Sequence, residues 1–261
     1  MIPIFKIRCS AIGQIMSGNV GLSETQERKL KTFQDKMKSG KDLTALQQVE
    51  NDKLVHLENN PQLPAGVKTY CKTWLKEKLY NRRKDIKSKY LDKGNACESQ
   101  SLELINAQTM EEYELNSEYK ENDYLTGTCD IKGDDVIRDI KNSWSPDTFP
   151  LFDTGIKDKG YWWQLQGYME LYDKSTAWLD YTLIDAPLHL IKNEAKSIAY
   201  REGLDYDTIF TDVHNTMTFS DIPQHLKHKC FNTNRDRAAM DEVYQRVILC
   251  RQYITQLQGG L

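Results

Sequence analysis

Between Tyr124 and Trp144 the chain reads YLTGTCDIKGDDVIRDIKNSW, two runs of alternating residues divided by a Gly-Asp-Asp turn. That pattern predicts a β-hairpin with strands over 124–132 and 136–142. With Asp134 and Asp135 as the loop residues, pairing outward from the turn sets Asp130 opposite Asp139. Directly opposed residues hold their Cβ atoms roughly 5 Å apart, and two carboxylates at that distance destabilise the pair unless something neutralises them. A divalent cation is the natural candidate. Side chains alternate along a strand, so Asp139 and Lys141 share one face while Ile140 is expected to point into the core with Cys129 and Ile131. Oxygen donors suit Mg²⁺ or Mn²⁺, and a lysine beside them can orient the water that attacks a phosphodiester. The competing reading is an exposed hairpin with an Asp-Lys pair of little energetic weight.

Outside the hairpin, SETQERKLKTFQDKMKSG opens with a Ser-x-x-Gln capping pattern at Ser23, ends at Gly40 and predicts a polar helix. VKTYCKTWLKEKLYNRRK, from Val67 to Lys84, places Val67, Cys71, Trp74 and Leu75 at helical spacing with lysines opposite. NACESQSLELINAQ predicts a third helix burying Cys97, Leu102 and Ile105, and further helices are expected over 159–173 and 235–258. A strand is expected in AWLDYTLIDAP, ended by Pro187, whereas 188–232 has no clear period. Helices, a strand meander, a helix, another strand and more helices predict an α/β core with a mixed sheet.

Four ordered motifs narrow this further. Asp130 followed by the triplet Asp139-Ile140-Lys141 resembles the PD-(D/E)XK nuclease superfamily. KGNACESQSLELI resembles the Gly-x-x-x-Glu helix of its RecB-like and lambda-exonuclease branch, and GYWWQLQGYMELY that branch's Gln-x-x-x-Tyr helix, with Gln164 and Tyr168 one turn apart. The likeness is nearest to the phage-type, YqaJ-like exonucleases and covers Ile7 to about Pro187. It implies a restriction-endonuclease-like fold, a mixed central β-sheet flanked by helices, with additional N- and C-terminal helices. It implies one domain, with its core over about 7–187 and a C-terminal helical extension over about 188–261.

The same resemblance implies that Glu98, Asp130, Asp139 and the backbone carbonyl of Ile140 ligate one or two Mg²⁺ or Mn²⁺ ions. Lys141 would position the attacking water, Gln164 would support the nucleophile side and Tyr168 the surrounding contacts. The typical substrate of the branch is a linear duplex DNA end, degraded from the 5′ strand for a strand-annealing recombinase, and homo-oligomeric rings occur. Ser10, with Arg8 nearby, is placed to cap a helix, either holding a DNA phosphate on its N–H groups or without a ligand. The grouped cysteines of the iron–sulfur CRISPR adaptation nucleases are missing here.

Ten Lys or Arg lie between Lys68 and Lys93, and the charges from Glu98 to Asp123 are nearly all acidic. Basic surface beside acidic pocket suits a protein that grips phosphates and holds metal, and two solvated helix faces would give the same pattern. Arg82 and Arg83, taken as part of the basic helix, are candidate phosphate contacts, and Trp144 would either touch DNA or close the sheet edge. HLKHKC groups His225, His228 and Cys230 without a fourth ligand at zinc spacing and is expected to be a surface loop. Tyr161, Trp162, Trp163 and Tyr172 are expected in the core rather than stacked on bases.

Six scattered cysteines, no apolar run of membrane length and no basic leader predict a cytoplasmic chain with reduced, mostly buried thiols. The sequence therefore points to a metal-dependent DNA exonuclease. The alternatives are an endonuclease or nickase of the same fold, from a defence system or mobile element, and a DNA-binding assembly protein with a degenerate site. Retention of Glu98, Asp130, Asp139 and Lys141 together speaks against degeneracy.

Overall fold

The computed structural model describes residues 2–83 and 88–260. Its helices are α1 (Ile12–Met16), α2 (Glu24–Lys38), α3 (Ala45–Asn59), α4 (Ala65–Tyr80), α5 (Lys89–Ala96), α6 (Glu98–Thr109), α7 (Lys159–Tyr172), α8 (Leu188–Glu202), α9 (Tyr206–Met217) and α10 (Arg237–Gly259). Its strands are β1 (Ile7–Arg8), β2 (Lys120–Glu121), β3 (Leu125–Gly127), β4 (Ile131–Lys132), β5 (Val136–Asn142), β6 (Thr176–Thr182) and β7 (His228–Asn234). The chain divides into two compact units, one of Lys6–Ile12 and Lys84–Met240, the other of Met1–Phe5, Gly13–Arg83 and Asp241–Leu261.

In the second of these units, capping boxes start α2 and α3. Ser23 and Gln26 satisfy each other's backbone N–H groups, as do Thr44 and Gln47. Leu22, Leu30, Phe33 and Leu54 close the apolar seam between the two helices. Helix α4 buries Val67, Cys71 and Leu75 on one stripe and stops at Tyr80, because Asn81 takes the left-handed conformation with φ 48°. Arg82 and Arg83 therefore lie past the helix rather than on it, correcting the expectation. Lys84 and Asp85 of the same basic segment lie outside the described residues.

The other unit is built on two sheets, one ordered β1-β3-β2 and one ordered β4-β5-β6-β7. The hairpin register holds, with Ile131 facing Arg138 and Lys132 facing Ile137. The expected first strand, however, is two pieces, β3 in the small sheet and β4 in the large one. Strands β5 and β6 run parallel with α7 between them in sequence, and β7 completes the sheet antiparallel to β6. The segment without a clear period thus supplies α8, α9 and an edge strand. The third predicted helix breaks at Cys97 (φ −105°, ψ 4°), so α5 and α6 are separate helices and Glu98 opens the second.

Helix α7 lies against the turn at Cys9–Ala11, where a side chain on Gly167 would bring Cβ to 2.5 Å from Ile12 Cδ1 and 2.9 Å from Cys9 Sγ. Gly167→Ala should therefore cost about 1–3 kcal/mol through overpacking, read as a lowered midpoint in denaturant unfolding. All six cysteines are free, and only Cys230 is not fully buried. No helix among the described residues is long and apolar enough to cross a membrane.

Candidate active site

The end of the hairpin opens into a cleft of about 600 Å³ within the sheet-bearing unit. Ser10, Glu98, Asp130, Asp139, Ile140, Lys141, Trp144 and Gln164 all line it, whereas Arg8 and Tyr168 do not. Strand β5 presents Asp139 and Lys141 on one face, with the Lys141 ammonium 2.5 Å from Asp139 Oδ2 as a charge contact. Gln164 on α7 donates through Nε2 to Asp139 Oδ1 (2.8 Å) and to the Tyr168 hydroxyl (3.2 Å). Its Oε1 accepts from Lys141 at 3.5 Å. One amide thus braces both the acid and the lysine. Asp130, in the bend just before β4 rather than on a strand, accepts the backbone N–H of Ile140 through Oδ2 at 2.6 Å, which ties it to β5.

Electrostatically the cleft holds more acids than cations, with Glu98, Asp130 and Asp139 facing the single ammonium of Lys141 among its described lining residues. Burial pushes the Asp130 carboxyl up to about 8, helped by the negative charges of Asp139 and Glu98, although the Ile140 N–H and Lys141 oppose this. Burial alone would lower Lys141, yet Asp139 and then Asp130 hold it above its ordinary value, so it stays charged. Burial and Asp139 likewise raise the Tyr168 phenol, which remains a neutral hydroxyl.

Three carboxylates, all hard oxygen donors, around a cleft short of cations fit a divalent ion such as Mg²⁺ or Mn²⁺. They do not converge here. Among the described residues the single group of three His, Cys, Asp or Glu ligand atoms within 4.8 Å of one another is Asp180, His228 and Cys230, elsewhere on the sheet.

Several expectations are corrected. Ser10 sits inside the short turn Cys9–Ala11, whose cap is Arg8 with no side-chain bond, so Ser10 caps no helix and instead borders the cleft. Ile140 is half-exposed at the cleft rather than in the core. The opposite face of β5 is not apolar either. Arg138 Nη1 donates to both oxygens of Asp180 (2.7 and 2.9 Å), His228 Nε2 lies 2.8 Å from Oδ1, and Asn142 donates to Ser101 and Thr182 hydroxyls.

His228 and Cys230 belong to β7, not to a surface loop, and His225 does not join them. Of the acidic run only Glu98 lines the cleft. Glu118 and Glu121 pair at the surface with Lys132 and Lys6. Tyr172 is buried, as expected, whereas Tyr161, Trp162 and Trp163 are half-exposed.

Two participants were not assigned to the site from sequence. The Lys141 ammonium lies 4.7 Å from the Tyr161 ring centroid. Tyr161 stands one turn before Gln164, so helical spacing already put it on the site's face. Lys93, counted among surface cations, is only 1% exposed and donates to the carbonyls of Ser143 (2.7 Å) and Trp144 (3.0 Å).

Burial pushes Lys93 from 10.5 down to about 8, against the pull of Cys97 and Asp185. Between those values the unfolded chain keeps a proton that the folded chain has released, so stability rises with pH across the window. Relative to Lys93→Met, the protein should gain about 2–3 kcal/mol between pH 8 and 10.5 in unfolding measurements.

No family model and no curated protein matches the sequence. Solved structures do. A phage-related exonuclease from Haemophilus somnus 129PT superposes with a TM-score of 0.72 at 24% identity, covering 99% of this chain and 97% of its own. The alkaline exonuclease LHK-Exo from Laribacter hongkongensis gives 0.54 at 13% identity, over 98% of this chain and 89% of its own, and its complex with dAMP gives 0.52. The chain therefore has the restriction-endonuclease-like fold of a mixed sheet flanked by helices. More particularly, the solved structures it is similar to are a phage-related exonuclease and an alkaline exonuclease.

Proposed function

We propose that the protein is a metal-dependent deoxyribonuclease that degrades linear duplex DNA from its ends, 5′ to 3′, in phage-type recombination. The observation that carries this reading is the cleft itself. Asp130, Asp139 and Lys141 meet there beside Gln164, with Glu98 also in the lining, in a fold similar to that of solved exonucleases.

Glu98, Asp130, Asp139 and the Ile140 carbonyl would hold one or two Mg²⁺ or Mn²⁺ ions. A bound divalent cation polarises a phosphodiester and acidifies a water. Gln164 keeps Asp139 in place, and Lys141 lies within reach of Asp139, Gln164 and the Tyr161 ring. From there its ammonium can orient the attacking water and meet the charge that develops on the phosphoryl oxygens.

DNA is the substrate in this reading, consistent with the nucleotide bound to LHK-Exo. Ser10 and Trp144 at the cleft, with Arg8, Arg82 and Arg83 as cations for phosphates, are the proposed DNA contacts. A strand-annealing recombinase and a second copy of this chain are the proposed partners, and the cytoplasm of a bacterial or phage-infected cell the proposed setting. We also retain a single nuclease domain as a proposal, its core over about 7–187.

The test is an assay in Mg²⁺ with 5′-labelled, 3′-labelled and closed circular duplexes. Progressive release from the 5′ label with intact circles is the expected result. Cutting of circles would make the protein an endonuclease, and no cleavage of any substrate would point to a degenerate site.

A further inference from the structure

Glu98 is the least supported acid of the cleft. It is the first residue of α6, directly after the break at Cys97, and no described residue donates a hydrogen bond to its carboxylate. Asp130 and Asp139 are fixed by the Ile140 N–H and by Gln164. The position of Glu98 is set by its backbone alone, and that backbone belongs to helices outside the sheet.

Two polar attachments join those helices to the catalytic strand. Three residues after Glu98, the Ser101 hydroxyl lies 2.8 Å from Thr182 Oγ1 and accepts from Asn142 at 3.2 Å. Five residues before it, the Lys93 ammonium reaches the carbonyls of Ser143 and Trp144, where the chain leaves β5. The ammonium is 5.0 Å from the Phe219 ring centroid and 5.9 Å from that of Trp144, and Asp185 attracts it without forming a salt bridge. Packing does not require such a group. A methionine has a similar shape and would avoid the cost of dehydrating a charge. What the ammonium adds is direction, two hydrogen bonds that hold α5 to the segment just after Lys141.

We propose that Lys93 is a positioning residue that locks the α5–α6 turn to the end of β5 and so holds Glu98 across the cleft from Asp139. The proposal rests on the reading of the cleft as a metal site. Lys93 touches neither metal nor substrate in it and acts through Glu98.

Mn²⁺ binding, measured by titration calorimetry without DNA, tests it on the full chain. Lys93→Met should remain folded and weaken Mn²⁺ binding roughly tenfold, the usual effect of losing a residue that orients a ligand. In a Glu98→Gln background the same change should have no further effect, because the residue it positions is already lost. Lys93→Gln, which keeps two N–H donors on a shorter stem, should fall between. Turnover at saturating Mn²⁺ should drop in Lys93→Met while the KM for DNA holds.

Unchanged Mn²⁺ binding in folded Lys93→Met, or equal weakening with and without Glu98, overturns the proposal. Loss of folding in both Lys93 variants assigns the residue to the stability of the unit and overturns it as well. If Glu98→Gln alone leaves Mn²⁺ binding unchanged, it is the metal reading of the cleft that fails.

Discussion

Asp139→Ala should leave a folded protein that no longer degrades linear duplex DNA in Mg²⁺. Asp139 is 1% exposed and sits where Gln164, Lys141 and the opposed Asp130 meet, so its removal takes away a proposed metal ligand and the group that sets Lys141. The fold has reason to survive. The change relieves the repulsion that, after burial, raises Asp130, and Lys141 keeps one-fifth of its side chain in solvent.

Lys141→Ala separates two roles that the first variant removes together. It retains the three carboxylates and should lower turnover by roughly 10² to 10⁴, the range for a group that positions or exchanges a proton in the transition state, with little change in DNA affinity. Single-turnover rates and DNA binding in Ca²⁺ measure the two separately. Normal turnover in Asp139→Ala, or an effect of Lys141→Ala confined to affinity, would remove these residues from the proposed chemistry.

The largest stability effect should come from the other face of the same strand. Asp180→Ala strips Arg138 of its counter-ion in a site where their side chains are 0% and 7% exposed. The guanidinium carbon lies 5.0 and 5.2 Å from the ring centroids of Tyr113 and Trp178, and its Nε already lacks a partner. Those rings favour a cation but do not replace a carboxylate. Breaking one side of such a pair costs about 3–5 kcal/mol, because the remaining charge stays buried. The double change Arg138→Met with Asp180→Leu should cost far less, since an apolar pair of similar volume leaves no charge behind. Denaturant unfolding of the three proteins decides it, and equal losses in the single and double variants would contradict the account.

These two faces also show what could be read in advance. The hairpin register followed from the Gly-Asp-Asp turn alone, a local constraint, and it brings Asp130 against β5 as expected. The Gln164 and Tyr168 pairing followed from helical spacing. The polar back face did not follow, because β5 is an interior strand covered on both sides. On such a strand alternation says that a residue is buried, not what it is buried against. Arg138 is paired with Asp180, which His228 also touches. Neither shares its element, and His228 lies in HKCFNTN, which has no strand-like alternation. Helix α3 was missed for a related reason. Its ALQQVENDKLVHLEN is mostly polar, and its helical state is secured by the Thr44–Gln47 box and a narrow seam.

The late arrival of β7 has a consequence for how this protein is made. Its partner β6 ends at Thr182, and the strand that covers it begins only at His228. During synthesis the growing chain therefore carries β6 with one row of backbone N–H and C=O groups unpaired until the ribosome has passed Asn234. Such an open row invites pairing with another chain. A fragment cut at Pro187, which keeps every motif of the cleft, would keep that open edge for good. It would contain the chemistry and lack the means to stay dispersed, so the residues beyond Pro187 are needed for solubility even though none of them reaches the cleft.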